Sequence, residues 1–102
     1  MLELRPSCEH CNRPLPPNAT DAFICSFECT FCEACVRDVL GNVCPNCGGG
    51  FERRPLRPAV DRKGGNFLGA YPPTMKVTHR PVVEAEHERL RDAVGTIAPK
   101  DR

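Results

Sequence analysis

Apolar and polar residues alternate in different ways along this chain, and each pattern predicts a different element. The stretch Phe23-Ile24-Cys25-Ser26-Phe27-Glu28-Cys29 is short, aromatic and β-prone, which predicts a hairpin carrying Cys25 and Cys29. In the run VRDVLGNV, Val36, Val39, Leu40 and Val43 fall on one helical face, so Cys32 and Cys35 enter from the first turn of a short helix. Further on, Val83, His87, Leu90, Val94 and Ile97 recur at intervals of three and four. Acids come early in this segment, Arg comes later and Gly95 stands where a helix would stop, which predicts an amphipathic helix over 81–95. Glu86 with Arg89, and Glu88 with Arg91, are spaced to pair along its exposed side. Such a helix is marginal alone because nucleation is unfavourable, so its apolar stripe of Val83, Leu90, Val94 and Ile97 needs a surface. The expectation is that it orders on a partner.

Between these patterned segments the chain changes character. The run ERRPLRPAVDRKGG is basic and proline-rich, and Tyr71-Pro72-Pro73 and Arg80-Pro81 add further prolines. Each residue before a proline is pushed out of the α region, which predicts an extended arm or linker over 52–80. The expected organisation is a module over 1–51, the arm, the helix over 81–95 and a disordered tail over 96–102.

Composition sharpens the picture. Only 22 of the 102 residues are Leu, Ile, Val or Phe, too few for a module this small to fold on apolar burial alone. No apolar run approaches the roughly 20 residues of a membrane span. The start, MLELRPSCEH, has neither the basic opening nor the apolar core of an export signal, so a reducing cytoplasm is expected. There, eight Cys read as metal ligands before they read as disulfides.

All eight lie between Cys8 and Cys47, in the order Cys8-x2-Cys11-x13-Cys25-x3-Cys29-x2-Cys32-x2-Cys35-x8-Cys44-x2-Cys47. Eight thiols divide into two tetrahedral sites, and zinc suits four soft thiolates in that geometry. Two residues between ligands form a tight turn that aims both sulfurs at one ion. The residue after such a pair often needs a left-handed conformation, and Asn12 and Gly48 sit at those places. If Cys8 and Cys11 share an ion with Cys32 and Cys35 (site 1), then Cys25, Cys29, Cys44 and Cys47 form site 2 and the sites interleave. Consecutive sites, with Cys8 and Cys11 joined to Cys25 and Cys29, are the alternative. Iron in a rubredoxin-like centre is a rival to zinc, since Cys-Pro-x-Cys-Gly resembles one rubredoxin knuckle. Four thiols would then be left over, Trp is absent, and the only Tyr, Tyr71, lies outside the module.

Ligand order and spacing, with Thr30-Phe31-Cys32-Glu33-Ala34-Cys35 and the final Cys44-Pro45-Asn46-Cys47, resemble a RING domain in which Cys replaces the usual His. The resemblance implies a small α+β zinc module of RING-like or treble-clef type with interleaved sites. Departures fall where ubiquitin-ligase RINGs hold a conjugating enzyme: His10 stands in place of Ile or Leu, the helix lacks Trp, and Gly48 replaces a basic residue. Residues 1 to about 58, from MLELRPSCEHCNRPLPPN through ICSFECTFCEACVRDVLGNVCPNCGGGFERRPLRP, also resemble a small bacterial cysteine-rich family, domain of unknown function 1272. That resemblance implies zinc binding and brings no activity.

Few other residues suggest chemistry. His10 lies inside the first knuckle but is read as an exposed turn residue, and His79 and His87 as surface or helix-packing residues. No nucleophile triad, phosphate-cradling loop or paired-carboxylate motif is visible, so no enzymatic activity is expected. Charge divides unevenly, −3 over residues 1–51 and +4 over 52–102. The cluster Arg53, Arg54, Arg57, Arg62 and Lys63 suits nucleic-acid phosphates. The stronger reading is that the arm neutralises its own module, to which two zinc ions with eight thiolates add −4. The expected function is a non-catalytic scaffold holding two Zn2+ and presenting a surface to protein partners. Nucleic-acid binding through the arm is the alternative, and electron transfer and ligase-like activity rank lower.

Overall fold

The computed structural model describes residues 1–102. The aromatic hairpin forms as β1 (Ala22–Ile24) and β2 (Thr30–Cys32), antiparallel, with Phe23 opposite Phe31. A third strand, β3 (Glu52–Arg53), pairs on the other side of β1, so the sheet order is β2-β1-β3. The predicted module boundary after residue 51 thus falls inside the sheet, because the basic run begins as an edge strand.

Helix α1 (Glu33–Cys35) follows β2 without a loop and continues as a π-helical turn, Val36–Leu40. It stops at Gly41, which adopts φ 59° as a left-handed cap. Val36, Leu40 and Val43 are buried as the helical face predicts, while Val39 is half-buried. Val36 and Leu40 share one core cluster with Leu15, Ala22, Phe31 and Phe51, Val39 packs against it, and Phe31 and Phe51 meet edge to face at 5.4 Å. This core is small. Only 20 of the 102 residues are buried, and six of those are Cys, so apolar burial does not by itself account for the order of the module.

Residues beyond β3 differ from the expected free arm and disordered tail. The segment that follows has no helix or strand up to α2 (Glu84–Val94), yet it lies against the module. Arg57 donates to the carbonyls of Leu2 and Tyr71, and Thr74 N donates to that of Glu3. Helix α2 then docks beside the π-helical turn, and Pro99–Asp101 forms a 3-10 turn. The physical reason is backbone satisfaction: polar groups of the tail meet carbonyls that the first half leaves without partners. The apolar stripe differs too. Val83 and Ile97 are exposed, Leu90 and Val94 are half-buried, and the one buried residue of the helix is His87. Neither expected Glu–Arg pair forms; Arg91 turns instead to the carbonyl of Val39.

Candidate metal centres

Glu9 N donates to the carbonyl of Thr30 at 3.0 Å, which sets the turn after Cys8 beside β2, the strand that ends at Cys32. As a result the sulfurs of Cys8, Cys11, Cys32 and Cys35 all lie within 4.8 Å of one another. Sulfurs held about 2.3 Å from a tetrahedral centre stand about 3.8 Å apart. Cys11 and Cys32 Sγ are 3.7 Å apart, which matches that edge and far exceeds the roughly 2.05 Å of a disulfide. All eight cysteines are free thiols. Of this cluster only Cys11 is exposed. Asn12, just after it, adopts φ 63°, the left-handed geometry its position predicts.

The second cluster is less complete. Cys25, Cys44 and Cys47 lie within 4.8 Å of one another, whereas Cys29, the fourth residue expected in site 2, is not in that set. Its sulfur instead accepts from Asn46 Nδ2 at 3.4 Å. Spacing explains the difference: three residues separate Cys25 from Cys29, against two in each of the other pairs, and Glu28 takes φ 66° to turn the wider loop. The remaining geometry is that of thiolate knuckles, with Phe27 N donating to Cys25 Sγ at 3.3 Å and Gly49 N to Cys47 Sγ at 3.4 Å. Gly48, after the last Cys, has φ 76°.

Crowding and burial set the titration of these thiols. Desolvation raises Cys29, Cys32, Cys35 and Cys44 above the ordinary thiol value, and neighbouring sulfurs add to the rise at Cys35. Cys11 moves the other way: desolvation opposes ionisation, but hydrogen bonds from the Arg13 amide and adjacent thiols outweigh it. Thiols this close and this dry ionise together only beside a cation, so the donor set suits a soft divalent ion. The two clusters are groups that could hold metal ions, one with four thiols and one with three and a fourth nearby.

Residues 1–57, which contain both clusters and β3, match the family described as Protein of unknown function (DUF1272). The chain belongs to that family. The chain is also similar to an uncharacterized protein of Rhizobium meliloti (strain 1021), 63% identical over 59 residues, which are 58% of this chain and 70% of that one. No solved structure matches the chain. Residues 58–102 lie beyond the part that matches DUF1272. No helix is long and apolar enough to cross a membrane.

Three features of the DUF1272 segment went unseen in the sequence. Glu9, between two thiols, is buried, with Oε2 accepting from Thr30 N and from Arg5 Nη1 at 3.1 Å. Arg54 is buried and donates to the carbonyls of Arg5 (2.9 Å), Leu15 (3.2 Å) and Pro16 (2.8 Å), stitching the N-terminal segment to β3. His10, expected as an exposed turn residue, is half-buried, and its Nδ1 accepts from Val82 N at 2.9 Å. Only Glu9 had a local signal, an Arg four residues before it; Arg54 sits in a basic, proline-flanked run that resembles a solvated arm.

Proposed function

We propose that this protein is a two-zinc scaffold of RING-like, treble-clef type that acts without catalysis by presenting a rigid surface to protein partners. The observation that carries the reading is the interleaving of the clusters. Cys8 and Cys11 meet Cys32 and Cys35 across Cys25, while Cys25 meets Cys44 and Cys47, as in a cross-braced pair of sites. With metal in the second cluster, Cys29 completes it by a short movement from Asn46. Zinc fits better than iron because two interleaved sites use all eight thiols, whereas a single rubredoxin-like centre leaves four of them over. Ligated thiolates are poor nucleophiles, which supports a non-catalytic role.

Binding to nucleic acid through the basic arm is the weaker reading. Arg53, Arg54 and Arg57 spend their guanidinium groups on carbonyls of Thr20, Leu15, Pro16, Arg5, Tyr71 and Leu2, leaving fewer cations for phosphates.

Metal analysis of the purified full chain tests the first part: two zinc ions per chain and no visible absorption are expected. One ion, or a charge-transfer band, contradicts it. Cadmium substitution with metal-to-proton NMR should connect one ion to Cys8, Cys11, Cys32 and Cys35 and the other to Cys25, Cys29, Cys44 and Cys47. Affinity capture with and without nuclease tests the second part, since a partner lost on nuclease treatment is bridged by nucleic acid.

A further inference from the structure

Residues 79–102 fasten to the first half of the chain through polar contacts that fall beside the thiols. At one end, His79 Nε2 lies 3.1 Å from the carbonyl of His10, Arg80 N donates to that of Glu9 at 2.8 Å, and Val82 N donates to His10 Nδ1. Glu9 and His10 are the two residues between Cys8 and Cys11. At the other end, Arg102 Nη1 donates to the carbonyls of Asn42 (2.8 Å) and Gly48 (3.2 Å). Asn42 lies two residues before Cys44, and Gly48 directly follows Cys47. Between them, His87 and Arg91 hold the carbonyls of Leu40 and Val39, at the end of the helix that begins beside Cys32 and Cys35. Pro99 packs so closely on Gly50 that a Cβ there would stand 2.8 Å from its Cγ.

We propose that residues 79–102 are a latch on the metal centres, so that docking of the tail and retention of the ions favour each other. An ion leaves a closed thiolate site when a knuckle swings one ligand away and a competing ligand takes its place. The accessible thiols are Cys11 and Cys47, one in each cluster. Cys11 follows His10 and Cys47 precedes Gly48, both of which the tail holds, so opening either knuckle strains a tail contact. By linkage, the tail binds best when the knuckles are closed on their ions and the ions are held most tightly when the tail is docked, and because opening a knuckle strains a tail contact the ions also leave more slowly. The latch rests on the metal-binding reading above.

The test uses the full chain loaded with zinc and mixed with an excess of a chromogenic chelator. Release is compared for the unaltered chain, His79→Ala, Arg102→Ala, the double variant, and Arg62→Ala as a control in the exposed arm. The double variant is expected to lose zinc about five-fold faster or more, the single variants to lie between, and the control to match the unaltered chain. Amide exchange across Glu84–Val94 should rise in the double variant while its zinc is still bound. Should that variant shed zinc during purification, the single variants give the same ordering. Release from both single variants and the double variant within about two-fold of the unaltered chain overturns the latch, whether or not exchange rises. A purified chain that takes up no zinc overturns the metal reading instead.

Discussion

His87 Nε2 lies 2.9 Å from the carbonyl oxygen of Leu40, joining α2 to the last turn of the helix that follows the first cluster. A carbonyl only accepts, so Nε2 carries the proton and donates it. The bond satisfies one of the carbonyls that a helix end leaves without an intrahelical partner. Both residues are buried, so neither has water as a substitute.

Replacing His87 with Ala removes one of the two bonds to the Leu40 carbonyl, which still accepts from Val43 N at 3.2 Å, so a cost of about 0.5–1.5 kcal/mol is expected. Urea unfolding of the metal-loaded protein should show this as a lower midpoint with little change in slope. An unchanged midpoint would mean that the bond adds nothing to stability.

Arg54 should be less replaceable still. Its three carbonyl partners lie in Arg5, Leu15 and Pro16, and burial without a facing carboxylate lowers its pKa, an effect Asp21 only partly offsets. Arg54→Ala removes all three bonds and leaves a void, and a loss of about 3–5 kcal/mol is expected. Arg54→Lys keeps the charge but lacks the planar fork that reaches three acceptors, so it should rescue only part of the loss. Unfolding midpoints of the two variants check this; equal stability of Lys and Arg at this position would contradict it.

Metal affinity should rise with pH. Desolvation holds Cys29, Cys32, Cys35 and Cys44 above the ordinary thiol value of 9.0, so the metal-free clusters carry protons at neutral pH that an incoming ion displaces. Chelator competition for the loaded protein should therefore show zinc held more tightly as pH rises toward the ordinary thiol value. A pH-independent zinc affinity would show that the thiols are already ionised.

Gly41 combines a left-handed φ of 59° with a close neighbour: a Cβ there would stand 2.7 Å from Arg91 Cδ. The Arg91 side chain can move aside, but only by giving up its bond to the Val39 carbonyl. Gly41→Ala should thus cost about 1–3 kcal/mol, chiefly through backbone strain. Gly41→Asn should cost less, because Asn tolerates the left-handed region better. Thermal melts of the two variants give the ordering, and Ala melting at or above Asn would refute it.

What could be read from the chain and what could not divide by the range of the interaction. Cys-x2-Cys spacing is a local constraint on one turn, and the left-handed positions of Asn12 and Gly48 follow from it within a few residues. Val36 and Leu40 announce their buried face through helical period alone. Arg54 and His87 are different. Their partners lie 38 to 49 and 47 residues away, and no local pattern separates a guanidinium bound to carbonyls from one in water. The extra residue between Cys25 and Cys29 was visible, but its effect depends on Asn46, which arrives from the far side of the second cluster.

The interleaved order of the thiols also sets a timetable. A chain emerging from the ribosome exposes Cys8, Cys11, Cys32 and Cys35 before Cys44 and Cys47 come out, so the first cluster can close while the second still lacks two of its sulfurs. Closing it joins the turn that carries Cys8 and Cys11 to the junction of β2 and α1 and leaves Cys25 and Cys29 displayed on the hairpin, waiting for the last knuckle. Synthesis therefore lets the first cluster form ahead of the second, and residues 79–102 are made only after everything they grip.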